Sequence, residues 1–131
     1  SDPRCPWCKK MDTDIMQNLK GVDLDVYYFM NPLNIRGHED APDIAKRVLC
    51  APDKVKAWKE WMLLGQKPEN DGEACAATLQ KHLDIAISRE FNYTPVLLPD
   101  TGFILPSTLS STKFANFLTD TKYINQPHLI K

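Results

Sequence analysis

The chain has 131 residues, a length that fits one domain with a sizeable core. Its 16 basic and 17 acidic residues give a formal net charge of -1, without the basic excess that is typical of nucleic-acid-binding domains. Hydrophobic residues make up 43% of the chain, as in ordinary folded proteins, and no apolar run approaches the roughly 20 residues of a membrane-spanning helix. We expect a globular domain without a nucleic-acid partner, whose targeting segment has been removed or was never present.

The first periodic segment follows two cysteines near the start of the chain. Apolar positions recur there at spacings of three and four residues, which predicts an α-helix that ends near Gly21. These positions are Cys8, Met11, Ile15 and Leu19. From Val22 to Met30 the period changes to two, and the second half of the run is apolar on both faces. This pattern predicts a strand in a sheet that is covered on both sides.

The middle of the chain is predicted to be helical. Residues 31–42 have no clear period and are predicted to form a loop, and three helices are predicted after it, over about 42–50, 52–63 and 73–90. Their predicted inward-facing residues are Ile44, Val48, Leu49, Val55, Trp58, Met62, Ala76, Leu79, Leu83, Ala86 and Ile87.

The last third of the chain is predicted to form a β-hairpin and one more helix. A short apolar strand over 94–98, a turn over 99–102 and a second strand over 103–105 make up the hairpin. A helix over about 107–118, anchored by Phe114, Phe117 and Leu118, and a tail over 121–131 follow it. The element order matches an α/β thioredoxin fold with a helical insertion. The strand that should lead into the first helix is missing from the chain, because Ser1–Arg4 is too short and too polar.

Cys5 and Cys8 form a Cys-Pro-Trp-Cys motif at the start of the first helix. A bridge between them closes too small a loop to stabilise the fold, so the pair is either redox-active or part of a metal site. A helix N-terminus stabilises a thiolate, which predicts Cys5 as the reactive thiol and Cys8, one turn later, as the thiol that resolves a mixed disulfide. The nearby charges, which partly offset one another, are Lys9, Lys10, Asp2 and Asp12.

Other uses of the two cysteines have less support. A structural zinc site needs four ligands, and the sequence has no second Cys-x-x-Cys and only scattered histidines, at His38, His82 and His128. Covalent haem attachment would place a histidine directly after the second cysteine, where Lys9 stands. We therefore predict no metal and no organic cofactor, and an inert reduced pair remains as an alternative.

The other two cysteines, Cys50 and Cys75, are separated by 24 residues. A bridge between them would contribute about 3.5 kcal/mol in the chain-entropy model, and the alternative is two buried free thiols. We favour the bridge, which would place the protein in an oxidising compartment. Another unusual feature is the dipeptide Thr94-Pro95. About one in twenty such bonds before a proline is cis, so the residues alone do not predict a cis bond here.

Five segments in order resemble the catalytic domain of the bacterial periplasmic disulfide isomerases of the DsbC/DsbG type. They are Asp2–Lys9, Val26–Pro32, Val48–Lys54 with Cys75 downstream, Tyr93–Val96 and Asp100–Pro106. Each motif is moderately specific, whereas the ordered set is specific and covers nearly the whole chain. The resemblance implies a thioredoxin-like catalytic domain over 1–131, with a helical insertion over about 38–90, and an N-terminal dimerisation domain that is absent from this chain.

The resemblance also implies roles for single residues. Cys5 would be the attacking thiol and Cys8 the resolving thiol, and Pro6 and Trp7 would tune the reduction potential. The remaining implied residues are Pro95 as a cis-proline against the motif, Thr94 as the backbone partner of an extended substrate, and Cys50 with Cys75 as a structural disulfide.

The function predicted from all of this is thiol–disulfide exchange, with disulfide isomerisation of misfolded secreted proteins in the periplasm as its direction. The implied partners are unfolded or wrongly bridged proteins, a membrane thiol reductase as electron donor, and a second copy of the chain through a domain outside it. One alternative is an oxidase or a reductase of the same fold. A second alternative is a non-catalytic binding or holdase module that uses Trp7 and the Thr94-Pro95 surface.

Overall fold

A computed structural model describes residues 1–18 and 25–100, together with 102, 104, 105, 113 and 116. Its helices in chain order are α1 (Pro6–Asn18), α2 (Ala41–Cys50), α3 (Lys54–Leu64), a single 3-10 turn (Glu73–Cys75) and α4 (Ala76–Ser88). The four helices predicted from periodicity over these residues are therefore confirmed, with bounds that differ by up to three residues, and the predicted end of the first helix near Gly21 lies outside the described residues. No helix in the described part of the chain is both long and apolar enough to cross a membrane.

The hydrophobic core lies where α2, α3 and α4 meet the two N-terminal cysteines. Its buried residues are Cys5, Cys8, Met30, Ile44, Ala45, Val48, Leu49, Trp58, Met62 and Leu79. Three residues predicted to face inward are exposed instead: Ala76, Val55 at 57% and Ile87 at 72%. All three lie in the first or last turn of their helices, where the neighbouring helices no longer cover them.

Helix α3 has clear start and stop signals. Asp53 caps its N-terminus, because the carboxylate accepts a hydrogen bond from the backbone N–H of Lys56. Gly65 ends it in the left-handed conformation, with φ of 69°. The helix starts two residues later than predicted because Pro52 precedes the capping residue.

The loop between α3 and α4 is tied to α2. The Arg47 guanidinium donates to the carbonyl oxygens of Pro68 and Asn70, and the Asn70 side chain donates back to the Arg47 carbonyl. The disulfide between Cys50 and Cys75 joins the C-terminal end of α2 to the start of α4. The predicted Cys50–Cys75 bridge is therefore confirmed, and it encloses α3.

The strand predicted over 22–30 is not formed over 25–30, and residues 22–24 lie outside the described part of the chain. Tyr27 is 80% exposed and Phe29 is 52% exposed, so the expected cover on both faces is wrong for these residues. Ser1 makes a parallel pairing with this segment: its nitrogen donates to the Phe29 carbonyl, and its carbonyl accepts from the Asn31 N–H, both at 2.7 Å. A pairing through one residue is too short to make a strand.

The predicted hairpin is present as one antiparallel bridge between Leu97 and Leu105, in which the Leu105 N–H donates to the Leu97 carbonyl at 2.9 Å. Gly102, with φ of 86°, makes the turn. In the predicted last helix, Lys113 and Asn116 are helical. Its other residues, including the three predicted anchors, and the tail over 121–131 lie outside the described residues.

Candidate active site

The two N-terminal cysteines lie at the start of α1. Cys5 immediately precedes the first helical residue, Pro6, and Cys8 lies one turn inside the helix. Both thiols are free and buried, and Cys5 is the more exposed of the two, at 7% against 1%. The Cys8 N–H points at the Cys5 sulfur over 3.4 Å. The helix therefore directs its unpaired backbone N–H groups at Cys5, as the motif predicts.

The environment separates the acidities of the two thiols. A hydrogen bond from the Cys8 thiol lowers the pKa of Cys5 to about 5, although burial opposes the change; the Thr94 side chain and the backbone N–H groups of Cys8 and Trp7 lower it further. The same hydrogen bond to Cys5, together with burial, raises the pKa of Cys8 above its ordinary value. Cys5 is thus the thiolate of the pair, and Cys8 keeps its proton and donates it in a hydrogen bond.

The Thr94-Pro95 peptide bond is cis and lies beside Cys5. The Cys5 sulfur lies 3.5 Å from the Thr94 carbonyl oxygen, to which it donates a hydrogen bond when it is protonated, and Pro95 is buried. Residues that are about ninety positions apart in the sequence therefore meet at the Cys5 sulfur.

The two residues between the cysteines face outward. Pro6 is exposed and Trp7 is 54% exposed, so the indole forms part of the surface next to the buried thiols. By contrast, the Cys50–Cys75 bridge lies in the helical insertion, where it joins helices and takes no part in the arrangement around Cys5.

Asp2 also belongs to the candidate site, although its place in the sequence predicts only a charge near the two cysteines. It is fully buried, and its backbone N–H points at the Cys8 sulfur over 3.5 Å. Its carboxylate accepts from the Arg4 N–H at 2.8 Å, which closes an Asx turn directly before Cys5. The dipeptide Asp2-Pro3 is a turn signal in the sequence and could have indicated this role.

The helical insertion holds the residues before Cys5 from a second side. The Arg4 guanidinium makes a two-pronged ion pair with Asp40, at the start of α2, and lies 4.8 Å from the centre of the Trp61 ring on α3. The Trp61 indole N–H donates to the Pro3 carbonyl at 2.8 Å. Two helices of the insertion therefore fix the backbone that leads into the motif.

A buried carboxylate, Asp12, lies further along α1. It accepts hydrogen bonds from the Tyr28 hydroxyl at 2.5 Å and the Trp58 indole N–H at 2.9 Å. Burial raises the pKa of Asp12 above its ordinary value despite these two donors. Burial, with the adjacent Asp12 charge, also raises the pKa of Tyr28. The three side chains link α1, the 25–30 segment and α3.

A metal centre has no support in the described residues, which contain no group of three or more His, Cys, Asp or Glu side chains placed to hold an ion. His38 and His82 are engaged separately: His38 contacts Asp2, and the His82 Nδ1 accepts from the Met30 N–H. The site therefore consists of two thiols of unequal acidity, the Thr94 carbonyl beside Cys5, and the exposed indole of Trp7.

Comparison with known proteins gives a consistent result. No family model matches the chain. It is 28% identical over 102 residues to the probable thiol:disulfide interchange protein DsbC of Bordetella parapertussis, a match that covers 77% of this chain and 33% of that protein. The proteins of the same name from Bordetella bronchiseptica and Bordetella pertussis match equally, at 28% identity.

A solved structure extends the likeness to three dimensions. The crystal structure of a disulfide interchange protein from Neisseria gonorrhoeae superposes with a TM-score of 0.75 and 30% identity, over 90% of this chain and 81% of that one. The chain is a DsbC-like protein. This DsbC-like chain spans about a third of the length of the curated relatives that it matches. The family resemblance predicted from the ordered motifs is confirmed.

Proposed function

We propose that this domain is a thiol–disulfide oxidoreductase whose reacting group is the Cys5 thiolate. One observation carries the proposal: the pKa of Cys5 is about 5, and the neighbouring Cys8 stays protonated and donates a hydrogen bond to Cys5. At neutral pH such a Cys5 is about 99% thiolate, whereas an ordinary cysteine is only a few per cent ionised. The names of the relatives, thiol:disulfide interchange proteins, support the same reaction class.

In the proposed reaction the Cys5 thiolate attacks one sulfur of a substrate disulfide. A bond forms between Cys5 and that sulfur, and the other substrate sulfur leaves as a thiolate. For isomerisation, a substrate thiolate then attacks its own mixed-disulfide sulfur and releases Cys5. For net reduction, Cys8 attacks Cys5, its proton passes to the departing substrate thiolate, and a Cys5–Cys8 disulfide remains.

The surroundings of Cys5 suit a protein substrate. Thr94 and Pro95 would receive an extended substrate segment through the backbone of Thr94, whose carbonyl already lies beside the reactive sulfur. Pro6 and Trp7 would tune the reduction potential, and the exposed Trp7 indole would contact the substrate. The substrates would be misfolded, wrongly bridged secreted proteins in the periplasm.

The stabilised Cys5 thiolate favours isomerase or oxidase activity over reductase activity. A thiolate of low pKa stabilises the reduced form, which makes the corresponding disulfide a stronger oxidant. An isomerase needs Cys5 reduced, so we propose that a membrane thiol reductase supplies electrons, and that dimerisation uses a domain outside this chain. An oxidase remains the second candidate for the same reason.

The test uses a small secreted protein with scrambled disulfides as substrate, in a glutathione buffer. The wild-type chain should restore native pairing, Cys5→Ser should be inactive, and Cys8→Ser should keep part of the isomerase activity, because isomerisation needs no resolving thiol. An Ala77→Ser variant on the exposed face of α4 is the matched control. Full activity of the Cys5→Ser, Cys8→Ser double variant would instead support the non-catalytic binding module and refute the enzyme.

A further inference from the structure

Asp2 is a buried charge whose partners all belong to other parts of the site. Its side chain is 0% exposed. Oδ1 accepts from the Arg4 N–H at 2.8 Å, and Oδ2 accepts from the Leu33 N–H at 2.9 Å. The same Oδ2 lies 2.6 Å from Nδ1 of His38, whose side chain is 12% exposed. Three donors therefore fix this one carboxylate, one from its own segment and two from the 31–40 connection.

The backbone of Asp2 contacts both cysteines of the motif. Its N–H points at the Cys8 sulfur over 3.5 Å, and its carbonyl accepts from the Cys5 N–H at 3.1 Å. The hydrogen bonds at the two sulfurs therefore form a chain. The Asp2 N–H donates to the Cys8 sulfur, and the Cys8 thiol donates to the Cys5 thiolate. A sulfur that receives a hydrogen bond is a better donor through its own S–H, because the bonds of a series polarise one another.

We propose that His38 and Asp2 are a positioning pair for disulfide exchange: His38 fixes the Asp2 carboxylate, which holds the Asp2 peptide against Cys8 and so strengthens the support that Cys8 gives to the Cys5 thiolate. Neither residue reacts with substrate. This role rests on the proposed thiol–disulfide chemistry, and it adds to that chemistry two residues that lie before and after the motif rather than inside it.

The negative charge of Asp2 makes the positioning role separable from a simple electrostatic one. A carboxylate near a thiolate disfavours the thiolate through charge repulsion, so removing the charge alone would lower the Cys5 pKa. Displacing the Asp2 peptide from Cys8 would instead raise the Cys5 pKa, because the Cys8 sulfur would lose the hydrogen bond from the Asp2 N–H. The sign of the change therefore distinguishes the two effects.

The main experiment measures the Cys5 pKa of the reduced chain from the ultraviolet absorbance of the thiolate across a pH series. In His38→Phe the ring remains and the donor is lost, so the measured pKa should rise by about one unit, which is about a tenfold change in the thiolate equilibrium. His38→Gln keeps an N–H donor and should stay close to the wild type. His82→Phe is the matched control, since His82 contacts the Met30 N–H and the Phe29 ring but not Asp2, and it should leave the Cys5 pKa unchanged.

A purely structural role for His38 would lower the free energy of unfolding in His38→Phe without moving the Cys5 pKa. An unchanged Cys5 pKa in His38→Phe, or an equal rise in His82→Phe, would therefore overturn the proposal. If His38→Phe does not fold, Asp2→Ala decides, because it removes the acceptors that hold the Asp2 peptide as well as the charge: a Cys5 pKa that rises despite the lost charge supports positioning, and a lowered or unchanged one overturns it. The titration needs no substrate, so its outcome is independent of whether the chain turns over a disulfide.

Discussion

Among the four glycines that the structure describes, Gly72 is the one at which an added methyl group should cost the fold most. It lies directly before the 3-10 turn that carries Cys75 and has a φ of 73°. A Cβ placed there would lie 2.8 Å from the Lys46 Cβ and 2.9 Å from the Arg47 backbone nitrogen, both in the middle of α2. A contact with helix backbone cannot be relieved by a side-chain rotation, so the loop itself would have to move.

The size of the effect follows from two separate terms. An alanine in the left-handed conformation costs about 1–2 kcal/mol, and crowding of a packed contact costs about 1–3 kcal/mol. Gly72→Ala should therefore lower the free energy of unfolding by about 2–5 kcal/mol. Gly37→Ala isolates the first term, because Gly37 has a φ of 87° but open space around its would-be Cβ. We expect a loss of only about 1–2 kcal/mol for that control.

Urea unfolding of the oxidised chain, followed by far-ultraviolet circular dichroism, gives both free energies. The midpoint should fall further for Gly72→Ala than for Gly37→Ala, with similar slopes for the two variants, because a point substitution in the loop leaves the surface exposed on unfolding nearly unchanged. Equal losses in the two variants would refute the argument that the loop is packed against the backbone of α2.

Three further outcomes are expected. Cys8→Ala should raise the Cys5 pKa above about 5, since the Cys8 thiol is its main stabilising donor, and an unchanged rate of alkylation across a pH series would contradict this. The folded pKa of Cys5 is depressed, so its thiolate stabilises the reduced chain above the ordinary cysteine pKa of about 8.5, and this contribution is lost as pH falls toward about 5. The difference in unfolding free energy between the reduced wild type and Cys5→Ser should thus grow from pH 5 to pH 8, and a constant difference would refute the linkage. Tyr28→Phe removes one of two donors to the buried Asp12 carboxylate and should lower the free energy of unfolding by about 1–3 kcal/mol, whereas a neutral result in calorimetry would show that Asp12 does not depend on it.

The helices could be predicted from the sequence because their signals are local. Trp58 and Met62 share an apolar stripe on α3, and Asp53 and Gly65 mark its ends within a few residues. The same periodicity could not tell that Val55, on the same stripe, is exposed, because burial depends on where the neighbouring helices end. The strand over 22–30 was a weaker prediction for a similar reason: a strand needs a partner that its own residues do not specify.

The two cysteines of the candidate site could also be predicted from the sequence, because Cys5 and Cys8 are only three positions apart in it. The residues that hold the two cysteines in place could not be predicted, because their contacts join positions that are far apart in the sequence. Trp61 meets Pro3 across 58 residues, and Trp58 meets Asp12 across 46. Two features outside the motif could be predicted: the Cys50–Cys75 bridge, from the residues and from the family resemblance, and the cis peptide bond at Thr94-Pro95, from the resemblance alone.

The contact between the Cys5 thiol and the Thr94 carbonyl has a consequence for timing. A protonated Cys5 occupies this carbonyl as a hydrogen-bond donor, whereas a thiolate has no proton to give. Ionisation of Cys5 therefore vacates an acceptor at the same moment as it creates a nucleophile, 3.5 Å away. Because a carbonyl oxygen has two lone pairs, an arriving backbone N–H could bind at Thr94 in either state, but it competes with no S–H donor once the Cys5 proton has left. The proposed docking at Thr94 and the proposed reactivity of Cys5 therefore both depend on one and the same proton.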